Sequence, residues 1–447
     1  SECRGGGQRS VRHAHLWGVR ELYEENEAGE RVLTGGKYHW LWQNNLSTTE
    51  WRTIEPQLPF YFFMPQDTNL KEEYERGWEL PKAFPVNNTG IITARDKFVR
   101  GFTVDEVHKR ITDFSNLDFG EAKEKYGLGN VRERTLQESW RMVRGITDIK
   151  KFIHPMLRQP FDLRPLFYHE ALVRWPVYAI MRHMIAGNNK GLITTRVTKD
   201  IWDSFACNSL MGHKALASYD VNYLFPLHVY PDQDKTNLFD NDNSTDVPGG
   251  RRPNLAPEFV ADFSARLKLT FISDCKGDLM KSFGPEDVFH YMYAVFHAPA
   301  YRSRYAEFLK IDFPRLPLTS NVELFRALCR HGEELTGLHL MDQHAPLLTS
   351  YPVPGHNTVE KVEYKESERR VWINKQQYFE GVPPEVWGFH VGGYRVANKW
   401  LKDRKGRQLT YDDLTHYQHV VSALGRTIEL MGEIDEVLAA HGGWPVS

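Results

Sequence analysis

Residues 232–252 read DQDKTNLFDNDNSTDVPGGRR, a run dominated by Asp, Asn and Gly that closes on Pro248-Gly249-Gly250. Such a stretch buries too little apolar surface to offset the entropy of ordering it, so it punctuates the chain rather than builds it. It divides the sequence into parts of different character. Before it, β-branched and apolar runs bounded by turn residues predict strands over 60–64, 90–99, 191–198 and 223–230, with a helix over 135–153. After it, helix signals dominate. Gly284-Pro285-Glu286-Asp287 supplies a first-turn Pro and two carboxylates for the N-terminal dipole, and Val288, Phe289, Met292, Val295 and Phe296 follow on one face before Pro299 interrupts. Ser320 with Glu323, and Thr410 with Asp413, have capping-box spacing, and Gly442-Gly443 ends the last long helix. Between these helices, 359–364 and 371–379 flank a Glu-Ser-Glu tip and predict a hairpin. The class expected is α+β: a mixed-sheet N-terminal half followed by a helix-rich C-terminal half.

Four segments follow from this division. Residues 1–85 read as a connector with some β content, 86–231 as a mixed α/β subdomain, 232–252 as the polar linker and 253–447 as a helix-rich subdomain carrying the hairpin. The chain opens on Ser1 and a Gly-rich SECRGGGQRS, the composition of a tether, so a domain cut from a longer polypeptide is expected. At 447 residues, 41% hydrophobic and 26% charged, the chain is globular in composition. Its four cysteines, Cys3, Cys207, Cys275 and Cys329, are too scattered for a disulfide framework and suit a reducing compartment. The longest apolar run, 58–64, falls far short of the ~20 residues that span a bilayer. A cytoplasmic protein without membrane contact is expected. Fifty-six basic against 58 acidic residues leave a net charge of −2, so any nucleic acid must be held by local patches rather than by bulk charge.

Signatures of catalysis are absent. There is no GxGxxG or GxxxxGK[ST] phosphate loop, no GxSxG elbow, no HExxH helix and no Asn/Asp-Pro-Pro-Tyr/Phe tetrad of the kind amino-methyltransferases use to grip the target amine. His13 and His15 are two residues, not a metal site, and Asp274-Cys275-Lys276 has nuclease-like spacing without an acidic partner. The paired acids Glu24-Glu25, Glu72-Glu73 and Asp412-Asp413 read as solvated faces. No catalytic residue and no metal ligand are assigned.

What remains are basic and amide-bearing clusters. From 132 to 164 eight basic residues, Arg141 and Arg144 among them, oppose four acids. From 395 to 407 Arg395, Lys399, Lys402, Arg404, Lys405 and Arg407 oppose only Asp403. Clusters of this kind neutralise spaced phosphates with release of counterions, and they also occur as ordinary solvated helix faces. Residues 87–97 (NNTGIITARDK) and 374–378 (NKQQY) place Asn, Gln, Arg and Lys on turns, the side chains that match adenine and guanine edges, although amide-rich turns cap backbones as well. Pro160-Phe161-Asp162 with Arg164 and Tyr168 reads as a buried Asp–Arg pair under an aromatic cover, and Trp387, Tyr394 and Trp400 as packing of the last helices.

Six of these motifs occur in a fixed order: NTGIITARDK (88–97), RQPFDLR (158–164) with Tyr168, GLITTR (191–196), NYLFPL (222–227), FLKIDFPRLP (308–317) and YFEGVPPEVW (378–387). Together they resemble the C-terminal specificity region of single-polypeptide type ISP restriction-modification enzymes, from about His15 to Val437. The resemblance implies a target-recognition fold lying just past an adenine-N6 methyltransferase core. It also implies double-stranded DNA and that methyltransferase domain as partners. S-adenosylmethionine, ATP and Mg would serve other domains of the parent enzyme, with no cofactor in this chain. On that footing Asn88, Thr89, Arg95, Lys97, Arg196, Lys375 and Gln377 are expected to read bases or enter a groove. Arg141, Arg144, Lys399, Lys402 and Lys405 are expected to hold phosphates. The alternative is a protein-interaction scaffold whose aromatic surface docks on another subunit without touching DNA.

Overall fold

A computed structural model of the chain describes residues 11–16, 19–26, 30–55, 70–131, 134–199, 201–231 and 250–446. The strand expected at 60–64, Arg132 of the first basic cluster and residues 232–249 of the polar run lie outside the described residues. Two compact units divide at residue 71. In the first, Val11–His13 pairs antiparallel with Arg52–Ile54, and a bulged hairpin joins Leu22–Glu25 to Arg31–Gly35. The helix Lys37–Gln43 follows that hairpin and buries none of its residues.

The second unit, residues 72–447, holds small sheets and a helical core, the α+β class expected. Its strands include β1 (Asn88–Thr89), β2 (Ile153–Gln159), β3 (Asp162–Phe167), β4 (Gly191–Thr195), β5 (Ser204–Cys207), β6 (Leu210–Met211), β7 (Asn222–Pro226), β8 (Glu363–Lys365), β9 (Arg370–Trp372) and β10 (Tyr378–Glu380). The helices used below are α1 (Asp96–Val99), α2 (Val104–Asn116), α3 (Leu136–Arg144), α4 (Pro285–His297), α5 (Val322–His339), α6 (Val396–Lys402) and α7 (Tyr411–Ala440). One antiparallel sheet runs β5-β4-β7-β1, and a second runs β6-β2-β3 with β6 parallel to β2.

α4 is the centre of the core, because every residue from Asp287 to His297 is buried. A helix apolar all round has to be covered on every side, and α5 and α7 pack on it. Gly332 of α5 permits the closest approach, since a Cβ there would lie 1.8 Å from the His290 carbonyl oxygen. Some polar groups at this depth pair with one another: Ala206 N–H donates to Tyr293 Oη at 2.9 Å, and His339 Nε2 meets Thr427 Oγ1 at 2.9 Å, whereas His290 Nδ1 has no partner among the described residues. Burial holds His297 and His339 well below the ordinary histidine pKa, so both rings are neutral at pH 7.

Differences from the sequence expectations have local causes. The helix expected over 135–153 starts with Thr135 and Glu138 in a capping box but ends at Arg144, and Ile153 already belongs to β2. The cap before α5 is Asn321, not Ser320: its Oδ1 accepts from the N–H of Glu323 at 3.0 Å and of Leu324 at 3.1 Å. The hairpin is a three-stranded meander, β8-β9-β10, because Asn374 Oδ1 accepts from the N–H of Gln376 and Gln377 and folds the run 371–379 in two. Glu73, expected on a solvated face, is gripped by Arg304 at 2.7 and 2.8 Å and accepts from Tyr305 Oη at 2.6 Å.

Candidate nucleic-acid interface

Residues 88–93 cross from one sheet to the other. Asn88 and Thr89 pair with Leu224 and Tyr223 of β7, Ile91 N–H donates to Met211 O at 2.8 Å, and Ile92 exchanges hydrogen bonds with Trp175. Gly90 is required at the crossing, since a Cβ there would lie 2.6 Å from the backbone of Gly212 and His213. Taking three partners in succession leaves no ladder to propagate, so the strand expected over 90–99 reduces to two isolated bridges, at Ile91 and Ile92, and its last residues are helical. The backbone then turns at Ala94, whose φ of 57° is left-handed and costs a residue with a Cβ ~1–2 kcal/mol. α1 begins at Asp96, whose carboxylate takes the Thr93 hydroxyl.

Register brings two distant motifs together. Thr89 lies opposite Tyr223, and Tyr223 lies opposite Thr194, so Arg196 emerges from the end of the sheet at which Thr89 lies. Arg196 is exposed, and its Nε donates to Asp312 Oδ1 at 3.0 Å.

Two clefts flank the turn 94–96. One, of about 350 Å³, is walled by Ile92, Asp96, Arg100, Arg158, His213, Lys214 and Tyr394 among others. The other, of about 460 Å³, lies between 94–98 and 126–131 and includes Arg95, Lys97, Arg110 and Tyr126. Their combined lining holds Arg95, Lys97, Arg100, Arg110, Arg158 and Lys214 against a single carboxylate, Asp96. Lys97 is exposed and has no ion-pair partner among the described residues. Arg95 is only 7% exposed; its Nη2 donates to Gly129 O at 3.0 Å. Burial, with Arg134 nearby, pushes its guanidinium pKa below the ordinary value.

Beneath the first cleft lies a different kind of charge cluster. Asp162, 1% exposed, accepts from Arg164 Nε at 2.8 Å and Arg404 Nη2 at 3.0 Å, with Arg158 at 3.5 Å. Burial alone pushes its carboxyl pKa up, but Arg404 and Arg164 outweigh that and hold it below the usual carboxylate value. The Phe102 ring packs on Arg164 and Arg407, and Trp400 on Arg404. The buried pair read from the sequence is present, with Phe102 and Trp400 as its cover; the Tyr168 hydroxyl instead donates to Pro176 O at 2.7 Å.

Residues 82–433 match the model of the type ISP C-terminal specificity domain. The chain belongs to that family. Solved structures share the fold at 17% identity. The DrdV–DNA complex, determined by cryo-electron microscopy, has a TM-score of 0.64 over 88% of this chain. The ATP-dependent type ISP restriction-modification enzyme LlaBIII bound to DNA has 0.64 over 86%. A nuclease-deletion mutant of the type ISP enzyme LlaGI with a DNA substrate mimic has 0.60 over 87%. The chain spans 41%, 25% and 31% of those chains. No curated protein matches the sequence.

Within this specificity domain the expected site residues separate into three groups. Asn88, Thr89, Arg95, Lys97 and Arg196 gather at the sheet end and the second cleft. Lys399 reaches the first cleft indirectly: Asp403 binds it and also binds Arg158 of the cleft wall. Lys402 and Lys405 are exposed just beyond, while Arg404 is spent on Asp162 and Arg407 on Glu106 at 3.0 Å. Arg141 is exposed on α3, Arg144 lies over Trp140, and Lys375 sits on the β9–β10 turn. Among the described residues no hydrogen bond or ion pair joins these three to the clefts. Gln377 is a correction: it is 1% exposed, and its amide is consumed by Asn357, Asn374 and Val353, leaving no edge for a base. Trp387, Tyr394 and Trp400 are buried as expected. Arg100, Arg110, His213 and Lys214 lie in separate stretches of the sequence, at 100, 110 and 213–214, and only folding converges them.

Among the described residues no cluster of three or more His, Cys, Asp or Glu side chains has the geometry of a metal site. No described helix is long and apolar enough to cross a membrane.

Proposed function

We propose that this specificity domain recognises a short sequence in double-stranded DNA for a restriction-modification enzyme, as a cytoplasmic component of phage defence. It positions a target adenine for N6 methylation and directs cleavage by domains of a longer polypeptide. Residues 86–231 supply the recognition surface, and the helix-rich residues 253–447 brace it from across the linker 232–252. Asn88, Thr89 and Arg196 read groove edges. Arg141, Arg144, Lys402 and Lys405 hold phosphates and fix register, the division of labour that phosphate and base contacts follow. The methyltransferase must extrude its base from the stack, and a second clamp on the duplex helps to hold the distorted DNA.

The observation carrying this reading is the pair of clefts lined by six cations and one carboxylate, together with the sheet end at which Thr89 and Arg196 both lie. The DNA complexes of LlaBIII and LlaGI, which share the fold, support it. Selection from a random duplex library with the full-length enzyme tests it. A single enriched asymmetric site is the expected result, lost when Arg196 and Asn88 are replaced. Enrichment unchanged by those substitutions, together with no gel retardation of random duplexes by this domain at low salt, would favour a protein-interaction scaffold.

A further inference from the structure

Arg95 occupies an unusual position. It is more than nine-tenths buried, it lines the 460 Å³ cleft, and its Nε has no hydrogen-bond partner among the described residues. No carboxylate pairs with it among the described residues. Asp96, the one acid in the cleft lining, is committed to the Thr93 hydroxyl and lies 3.6 Å from Arg100. The charged neighbour that bears on Arg95 is Arg134, of like sign. A buried guanidinium without a counter-charge is unfavourable unless something else supplies the charge. Lys97 stands on the same wall, exposed and without an ion-pair partner among the described residues. On the opposite wall Gly127 and Gly129 leave the rim open, since a Cβ on either would meet nothing within 4 Å.

We propose that the cleft between residues 94–98 and 126–131 is an anion site for one phosphate group, with Arg95 as its inner cation and Lys97 at its mouth. The inference rests on the DNA-recognition reading and sharpens it. The phosphate is one of the duplex backbone, so Arg95 anchors register instead of reading a base edge. The planar fork of a guanidinium suits two phosphate oxygens, and Lys97 adds a point charge.

The test uses the full chain, with R95M, R95K and K97A as variants. Thermal unfolding is followed in inorganic phosphate and in chloride at equal ionic strength, and duplex binding is followed by anisotropy across a salt series. Phosphate should raise the wild-type melting temperature and leave R95M unmoved, with R95K retaining part of the shift. The slope of log affinity against log salt should fall by about one in R95M and in K97A, alike for every duplex sequence. An R95M protein that keeps both the phosphate shift and the slope overturns the site. So does one that loses sequence discrimination at unchanged slope, because Arg95 would then read a base. Protection by a nucleoside monophosphate with an unmoved duplex slope keeps the phosphate site and overturns the duplex as its source. Should the wild type bind no duplex at any salt, the DNA reading fails, while the phosphate shift still reports on the cleft. If R95M does not fold, R95K and K97A carry the same two measurements.

Discussion

Two arginine clusters lie close together in this domain and have opposite chemistry. Around Asp162, three guanidiniums share one buried carboxylate, and two of them, Arg164 and Arg404, are roofed by Phe102 and Trp400. Around the turn 94–96, cations converge on open clefts whose lining includes a single carboxylate, Asp96. The residue types are the same in both. What separates a cation that holds the fold from one available to a ligand is its partner, and a partner is a property of the fold. Arg158 links the two clusters: it lines the first cleft and binds both Asp162 and Asp403.

The largest effect should come from breaking the saturated cluster. Asp162→Asn leaves Arg164 buried with no counter-charge and Arg404 with only Asp413, 3.6 Å away, and is expected to lower stability by ~3–5 kcal/mol, read from urea unfolding midpoints. Its pH dependence has a definite sign. The folded carboxyl titrates below its ordinary value of 3.8, so the stabilisation is complete above about pH 4 and is lost as pH falls through the folded value. Acid unfolding of the wild type should therefore be steeper below pH 4 than that of D162N. Equal curves would remove Asp162 from the ledger of stabilising groups.

Gln377→Ala ranks next, at ~1–3 kcal/mol of stability, because it strands the Asn357 N–H and the Asn374 amide in the interior. DNA affinity at equal folded fraction should not change, which separates Gln377 from the residues it was grouped with. Arg196→Ala should do the reverse. It is exposed and contributes little to stability, but it should cost ~1–3 kcal/mol of binding on the cognate duplex and almost nothing on random ones. A uniform loss across sequences would make it a phosphate contact.

The legibility of the molecule follows the same division. Local signals read well: the Pro285 start of α4, the Thr410–Asp413 box of α7 and the strand at 191–195 are where the sequence pattern puts them. Order in the chain was enough to mark the six motifs that identify the family. What local reading missed was set by distant partners. The run 90–99 has the composition of a strand, but Met211 and Trp175 each accept one hydrogen-bonding step and then the backbone bends. Gln377 and Lys375 look equivalent on one turn; the fold buries one and exposes the other. In the 395–407 cluster the count of six cations to one acid was misleading, because Asp162 and Glu106, hundreds of residues upstream, neutralise two of them.

That last distinction yields the smallest and most discriminating prediction. Lys399 and Lys402 lie within one turn of α6 and are alike in sequence, yet Lys399 is held by Asp403 and Lys402 is exposed without an ion-pair partner. A lysine whose charge is already neutralised has few counterions to displace on binding, whereas a free one releases about one. Lys402→Ala should therefore lower the salt slope of duplex binding by about one, and Lys399→Ala by much less. Lys399→Ala should instead cost up to ~1 kcal/mol of stability, the range for a partly exposed ion pair. Equal slopes for the two variants would mean that Asp403 releases Lys399 on binding, and the first cleft, whose Arg158 shares that carboxylate, would have to rearrange with it.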